Sequence, residues 1–384
     1  MKKVVHVFTV SMSIIFLEDL YAKLKERGYE LIVICSDGDE IRYQEELGNL
    51  KFYPVNISRG ISPFRDLIAL IKIITILFKE KPSIVHGHTP KGGFLAMLAA
   101  KFINVKNRPY HLHGLKFPGE TGIRKKIIRK MEKVTISLST EVYSVSRSLR
   151  EYAIQEGLGT KEKLKVILNG SVKGIDIRKS QAIIDNGSDY YKKILNVKEY
   201  NCIIGYIGRV TEEKGIVEFM SAIKRLLTQG YNIGIILCGP NEIIFQENRK
   251  QFSEFIQLDN VQYYGKVNNP LEYMICCDIF ALPTYREGFG LVNIEANSVG
   301  VPVITTNIIG CLDSIEDNIT GIAIKSKDEK TLYSALKKLI DNPSLRKKMG
   351  GSGLKRVREL YDRNEIWDML IYEYDRMIEE KTVN

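Results

Sequence analysis

Short runs rich in β-branched and aromatic residues alternate with stretches of helical apolar spacing along the whole 384-residue chain. Strand, helix, strand in succession closes as a parallel sheet with helices packed on its faces. The first half offers strands at 3–9, 31–35, 51–55, 84–88, 110–113, 141–145 and 165–168. Around 180–199 the text turns polar, with Asp185-Asn-Gly-Ser188 as a turn signal, and a second series follows at 202–207, 233–238, 261–264, 279–282 and 302–305. The expectation is an α/β protein of two doubly wound, Rossmann-like domains, 1–185 and 186–363, with successive helices closing the chain. Facing each other across a cleft, two such domains would put ligands at the carboxyl ends of both sheets.

Several function classes fall away on composition. The six cysteines are scattered and lack C-x-x-C spacing, so neither a disulfide framework nor a thiolate zinc site is expected, and a reducing, cytoplasmic setting suits them. The apolar start is cut short by His6 and reads as a strand rather than a signal peptide. The apolar run at 66–78 is too short, and interrupted by Lys72, to span a bilayer. Residues 101–150 hold twelve Lys or Arg against three Glu. Within them, 124–133 alternates basic residues with Ile123, Ile127, Ile128 and Met131 at helical spacing, a pattern suited to an anionic membrane surface or to a solvated helix packed on its own domain. No nucleic-acid motif or aromatic platform accompanies the patch, so no nucleic acid is expected as a partner.

The most informative stretch runs from Pro283 to Glu295, where a strand ends, a loop bearing Gly288 and Gly290 follows, and a helix begins. Glu287 and Glu295 flank that helix start, Glu295 lying roughly 10 Å along it if the helix opens near Gly288. Opening amides between two carboxylates match a nucleotide sugar: hydroxyls on the sugar, a diphosphate dianion in the middle, hydroxyls on the ribose. A capped helix with an exposed Glu295 would also account for this stretch alone. Gly208-Arg209 to Lys214-Gly215 supplies positive charge after the first strand of the second series. A planar fork and a mobile ammonium together offset a diphosphate without metal, and the chain as a whole is read as lacking the Asp-x-Asp pair that usually marks a diphosphate-bound metal. Neither a P-loop nor a G-x-G-x-x-G fingerprint is present.

With G-R-x(n)-K-G followed by E-x7-E in this order, the chain resembles the retaining glycosyltransferases of family 4, which have the GT-B fold. The likeness extends to His86-Gly-His88-Thr-Pro-Lys91-Gly-Gly, Gly170-Ser171, Gly174-Ile175-Asp176 and Gly265-Lys-Val267. Similar proteins build capsule, exopolysaccharide or lipid-linked glycans. The resemblance implies a nucleotide-sugar donor, a glycan or polyprenyl-diphosphate-linked acceptor, no cofactor and no metal. It implies that Arg209 and Lys214 hold the diphosphate, Glu295 the ribose and Glu287 a sugar hydroxyl, that Phe289, Gly290, Leu291 and Val292 line sugar and phosphate beside Gly288, and that Val267 lies by the base. It also implies a C-terminal helix, 364–384, that crosses back onto the first domain. The first loop reads Thr9-Val-Ser-Met-Ser13, without the paired glycines many family members carry there.

All five histidines fall within the first 113 residues. His86/His88 and His111/His113 each share a strand face by alternation, a spacing that suits zinc in a metal-dependent hydrolase. The second half supplies no histidine to complete such a site, so core roles for His86 and His111 are favoured. His113, before Gly114, falls at a strand end, where the resemblance places it beside the reacting sugar. Ser11, His88 and Lys91 complete the expected acceptor side, Lys91 as a phosphate anchor. A sugar-nucleotide epimerase of the same fold and a non-catalytic donor-binding subunit remain alternatives.

Overall fold

A computed structural model describes residues 2–58, 60 and 62–380, which form two compact units. The first contains β1 (Lys2–Val7), β2 (Tyr29–Cys35), β3 (Lys51–Pro54), β4 (Ile84–His88), β5 (Pro109–Leu112), β6 (Glu141–Ser144) and β7 (Leu164–Val166). They form one sheet in the order β3-β2-β1-β4-β5-β6-β7, with every pair parallel. The second unit contains β8 (Cys202–Ile207), β9 (Ile233–Cys238), β10 (Val261–Gly265), β11 (Ile279–Leu282), β12 (Val303–Thr306) and β13 (Gly321–Ile324). Its order is β10-β9-β8-β11-β12-β13, again parallel throughout.

Burial on both faces explains the near-continuous apolar runs: β4, β8, β9 and β11 are buried along their whole length. Strand order reverses between β1 and β4 in one sheet and between β8 and β11 in the other. Loops leaving those strands therefore diverge, and the gap they leave is where such sheets take ligands.

Glycine sets how closely helices approach. A Cβ on Gly93, in the helix Pro90–Phe102, would stand 2.3 Å from the Tyr110 ring on β5, so only glycine lets that helix lie so near the sheet. The Tyr110 hydroxyl in turn donates to Glu132 at 2.8 Å. Burial pushes that carboxyl up to about 7.

The last helix, Arg363–Glu379, returns to the first unit as expected. Trp367, Leu370, Ile371, Tyr374 and Met377 join a core with Val4, Phe8, Leu31 and Val33. Trp367 Nε1 donates to the Glu18 carbonyl at 3.0 Å, and Asp375 accepts from Lys2 and Tyr29, both at 2.7 Å.

Two expectations need correction. The units divide after Lys173 rather than at 185/186. The polar stretch taken for the link forms the helices Ile177–Asn186 and Ser188–Ile194, which bury Ile183 and Tyr191 in the second unit's core. Strand β13 was not expected at all. The six cysteines are free and buried, and among the described residues no helix is long and apolar enough to cross a membrane.

Candidate functional site

In the second unit, the chain leaves β8 through Gly208 and Arg209, then makes a 3-10 turn, Glu212–Lys214, capped when the Thr211 hydroxyl accepts from the Lys214 amide at 3.3 Å. The buried Tyr206 hydroxyl donates to the Arg209 and Lys214 carbonyls, each at 3.3 Å, pinning both ends of the loop. Gly215 sits at φ +75° with its α-carbon against the Pro283 carbonyl, where a Cβ would come within 2.1 Å. Tyr285 N–H donates to the Glu213 carbonyl at 2.8 Å. The loop after β8 and the loop after β11 are therefore locked backbone to backbone.

This apposition brings Lys214 Nζ onto Glu287 Oε1, with side chains only 19% and 16% exposed. Arg209 stands further out, its guanidinium 2.8 Å from Glu242 and half exposed. The neighbouring helix spans Leu291–Ser298, its N-cap Gly290 at φ +79° with no side-chain cap. The expected start near Gly288 is thus corrected: 285–290 is irregular, and Glu295 lies in the helix's second turn, roughly 6 Å from Leu291. The first-turn N–H groups of such a helix lack intrahelical acceptors and carry the positive end of its dipole. Gly310 closes against Gly288 and Glu287 from the other side, where a Cβ would lie 2.6 Å from the Gly288 carbonyl carbon. Phe289 is buried edge-on against Tyr361, ring centroids 5.4 Å apart, so its side chain anchors the loop. Val267, two residues past Gly265 at φ +63°, is half-buried on the same unit's core.

One sequence expectation, that the chain lacks an Asp-x-Asp pair, is corrected. An Asp-x-Asp triplet does occur, as Asp37-Gly38-Asp39, but in the first unit, where Asp37 pairs with Arg42 and Asp39 opens the helix Asp39–Glu46. It is not part of the arrangement around Lys214.

In the first unit, sequence reasoning placed the histidines in pairs but missed that all five meet. His6 on β1 faces His86 on β4 in register, and His88 faces His111 on β5. His6 Nδ1 and His88 Nε2 lie 2.9 Å apart, and His88 Nδ1 and His113 Nε2 3.0 Å. Burial lowers all five pKa values, His6 to about 3 and His111 to about 4, so the rings are neutral at pH 7. Among the described residues His6, His86 and His88 have metal-ligand spacing, their nitrogens within 4.8 Å. Their facing nitrogens, His6 Nδ1 and His88 Nε2, also lie at hydrogen-bond distance, with the ring planes 17° apart.

The expected acceptor residues are only partly served. His88 is buried with both ring nitrogens engaged, so direct acceptor contact is corrected to a supporting place behind His113. Lys91 is buried, its ammonium 2.7 Å from Asp66 and also bonded to Ser58, so its charge is already met within the unit. Ser11 is buried and donates to Glu40 at 3.1 Å. His113 alone of these is part-exposed, stacked on Phe16 at 4.8 Å.

Two parallel sheets covered by helices define a GT-B protein, and sequence comparison gives the class. Residues 188–356 match the family model described as Glycosyl transferases group 1, and residues 15–171 that described as Glycosyltransferase Family 4. The chain belongs to this glycosyltransferase family. It is 32% identical over 380 residues, 99% of this chain and 98% of the relative, to the capsular polysaccharide biosynthesis glycosyltransferase CapM of Staphylococcus aureus. It is 25% identical over 325 residues, 84% of this chain and 83% of the relative, to an Escherichia coli UDP-Gal:α-D-GlcNAc-diphosphoundecaprenol α-1,3-galactosyltransferase. The Anabaena protein HepE, solved with UDP-glucose, shares the fold at a TM-score of 0.78 and 18% identity, covering 100% of both chains.

Proposed function

We propose that this protein is a retaining glycosyltransferase that moves a hexose-type sugar from a UDP-sugar to a glycan or polyprenyl-diphosphate-linked acceptor in cell-surface polysaccharide synthesis, such as capsule. The observation that carries the reading is the ion pair of Lys214 with Glu287, whose loop leads directly into the uncapped start of the helix Leu291–Ser298. Arg209, Lys214 and those amides hold the diphosphate and stabilise the charge that grows on it as the acceptor hydroxyl attacks the anomeric carbon, which is catalysis by donors already in place. Glu287 accepts from a sugar hydroxyl and Glu295 from the ribose. Gly288 to Val292 line the sugar and phosphates, and Val267 borders the base. His113 offers a polar contact at the reacting centre. The printed activities of the capsular and diphosphoundecaprenol relatives support the substrate classes.

The test is mass spectrometry of the purified protein with a panel of UDP-sugars, with and without polyprenyl-diphosphate-linked saccharides. A product heavier by one hexose, formed only when donor and acceptor are both present and carrying the donor's anomeric configuration by NMR, is the expected result. Free altered sugar without acceptor would instead identify an epimerase, and binding without turnover would identify a donor-binding subunit.

The acceptor's chemistry also calls for a lipid surface on the cytoplasmic face of the membrane. Two helices that pack on Pro90–Phe102 turn apolar side chains outward: Phe64, Leu67, Ile68, Ile71 and Phe78 from Pro63–Glu80, and Ile123 and Ile127 from Gly122–Leu138. Arg124, Lys125, Lys126, Lys130 and Lys133 are exposed beside the latter. At about 1 kcal/mol per basic residue near anionic lipid, five suffice for peripheral binding. In vesicle flotation, the protein is expected to float with phosphatidylserine vesicles and not with phosphatidylcholine, and an R124E/K125E/K126E variant to remain at the bottom. Equal recovery from both lipids would reject the surface.

A further inference from the structure

We infer that a continuous hydrogen-bonded line, His113–His88–His6–Tyr374–His86, fixes which ring nitrogen of His113 carries its proton, and that His88, which meets His113 directly, is its positioning residue. The inference rests on the reading of His113 as a group at the reacting centre, and it adds a role for the buried rings behind it.

The line is built from three strands and one helix. His113 Nε2 meets His88 Nδ1 at 3.0 Å, His88 Nε2 meets His6 Nδ1 at 2.9 Å, His6 Nε2 meets the Tyr374 hydroxyl at 3.3 Å, and that hydroxyl meets His86 Nδ1 at 2.5 Å. Each contact holds one proton between two heavy atoms. Every ring is neutral and has one N–H, so along the histidines the direction of one bond dictates the next. Two settings place every proton in a bond or at one end: all donors point toward His113, or all point away. A third, with the Tyr374 oxygen accepting from both His6 and His86, leaves the buried hydroxyl proton with no acceptor among the described residues.

The far end selects between them. Among the described residues the fully buried His86 Nε2 has no hydrogen-bond partner. With the line pointing away from His113, that nitrogen would carry an N–H with nowhere to donate. With it pointing toward His113, the same nitrogen keeps only a lone pair, and orphaned buried donors are the rarer of the two. The preferred setting runs from His86 Nδ1–H to the Tyr374 oxygen, from Tyr374 O–H to His6 Nε2, from His6 Nδ1–H to His88 Nε2, and from His88 Nδ1–H to His113 Nε2. His113 is then left with Nδ1–H, and no group among the described residues is bonded to that nitrogen. The protein thereby holds a donor, not an acceptor, at the one part-exposed ring of the five. A donor there suits a sugar or acceptor oxygen that gains charge in the reaction.

The experiment is ¹⁵N NMR of histidine-labelled protein, wild type against His88→Phe and His88→Asn, with kinetics on the same samples. Phenylalanine keeps a ring stacked on Phe8 and removes the donor, while the asparagine amide returns an N–H where Nδ1 stood. Wild type and His88→Asn are expected to show His113 protonated at Nδ1. His88→Phe is expected to shift His113 toward Nε2–H and to lower kcat roughly 10- to 100-fold, the range typical of lost supporting bonds behind a reacting group, with the donor KM unchanged. A His113 tautomer that does not respond to His88→Phe would overturn the line. A tautomer that responds while kcat does not would overturn its role in the reaction. Absence of transfer by wild type, with the tautomer result intact, would instead count against the proposed function alone.

Discussion

Lys214→Ala is expected to lower kcat by about 10²- to 10³-fold, or roughly 3–4 kcal/mol of transition-state stabilisation, while the protein stays folded. The size follows from where the ammonium sits. At 19% side-chain exposure it acts with less screening than a surface lysine, and Glu287 at 16% exposure holds it at the mouth of the loop. The fold survives because the turn is held by main-chain groups that alanine keeps: the 214 amide still reaches Thr211, and the 214 carbonyl still accepts from Tyr206. Arg209→Ala should cost less, about 10-fold, because that guanidinium is half exposed and shared with Glu242. Steady-state kinetics with saturating UDP-sugar, alongside thermal melts, make the comparison. Full activity in the Lys214 variant would remove the cationic grip on the leaving group from the mechanism.

How much of this was legible beforehand depended on how local each signal was. Twelve strands declared themselves because short runs of β-branched, aliphatic or aromatic residues are bounded by turn residues, most plainly in β8, β9 and β11, which are buried along their whole length. β13 hid because it is only Gly-Ile-Ala-Ile and opens on a residue that ordinarily weakens a strand. Its glycine is there for a non-local reason: a Cβ on Gly321 would lie 2.3 Å from the Val303 carbonyl on β12. The unit boundary was misplaced for a similar cause, since 177–194 is polar on its outer face and only Ile183, Tyr191 and a few neighbours bind it to a core. That Lys214 and Glu287 stand near one another was readable because each follows a strand end, and the sheet order brings those two ends together. His88, Lys91 and Ser11 misled because their partners, His6, Asp66 and Glu40, are distant in sequence and no spacing rule reveals them. The histidine line was half visible as two H-x-H pairs. Its completion by Tyr374, 288 residues from His86, was beyond any local pattern.

Gly215→Ala tests whether the site depends on backbone apposition rather than on side chains alone. Two penalties fall on that one methyl group. The residue holds φ +75°, which costs an L-residue roughly 1–2 kcal/mol, and the added carbon would come within 2.1 Å of the Pro283 carbonyl oxygen and 2.7 Å of its carbon. Backbone atoms cannot rotate aside as a flexible side chain would, so the loops after β8 and β11 must separate. The expected loss is about 3–5 kcal/mol, or a melting point lower by roughly 10 °C for a unit of this size, and the parting loops carry Lys214 away from Glu287. Gly230→Ala isolates the first penalty, because Gly230 has φ +82° with nothing within 4 Å of the added carbon. That variant should lose only about 1 kcal/mol and keep its activity. If the two variants melt together and both remain active, the apposition of Gly215 and Pro283 does not set the position of Lys214, and the ammonium must be held by its ion pair alone.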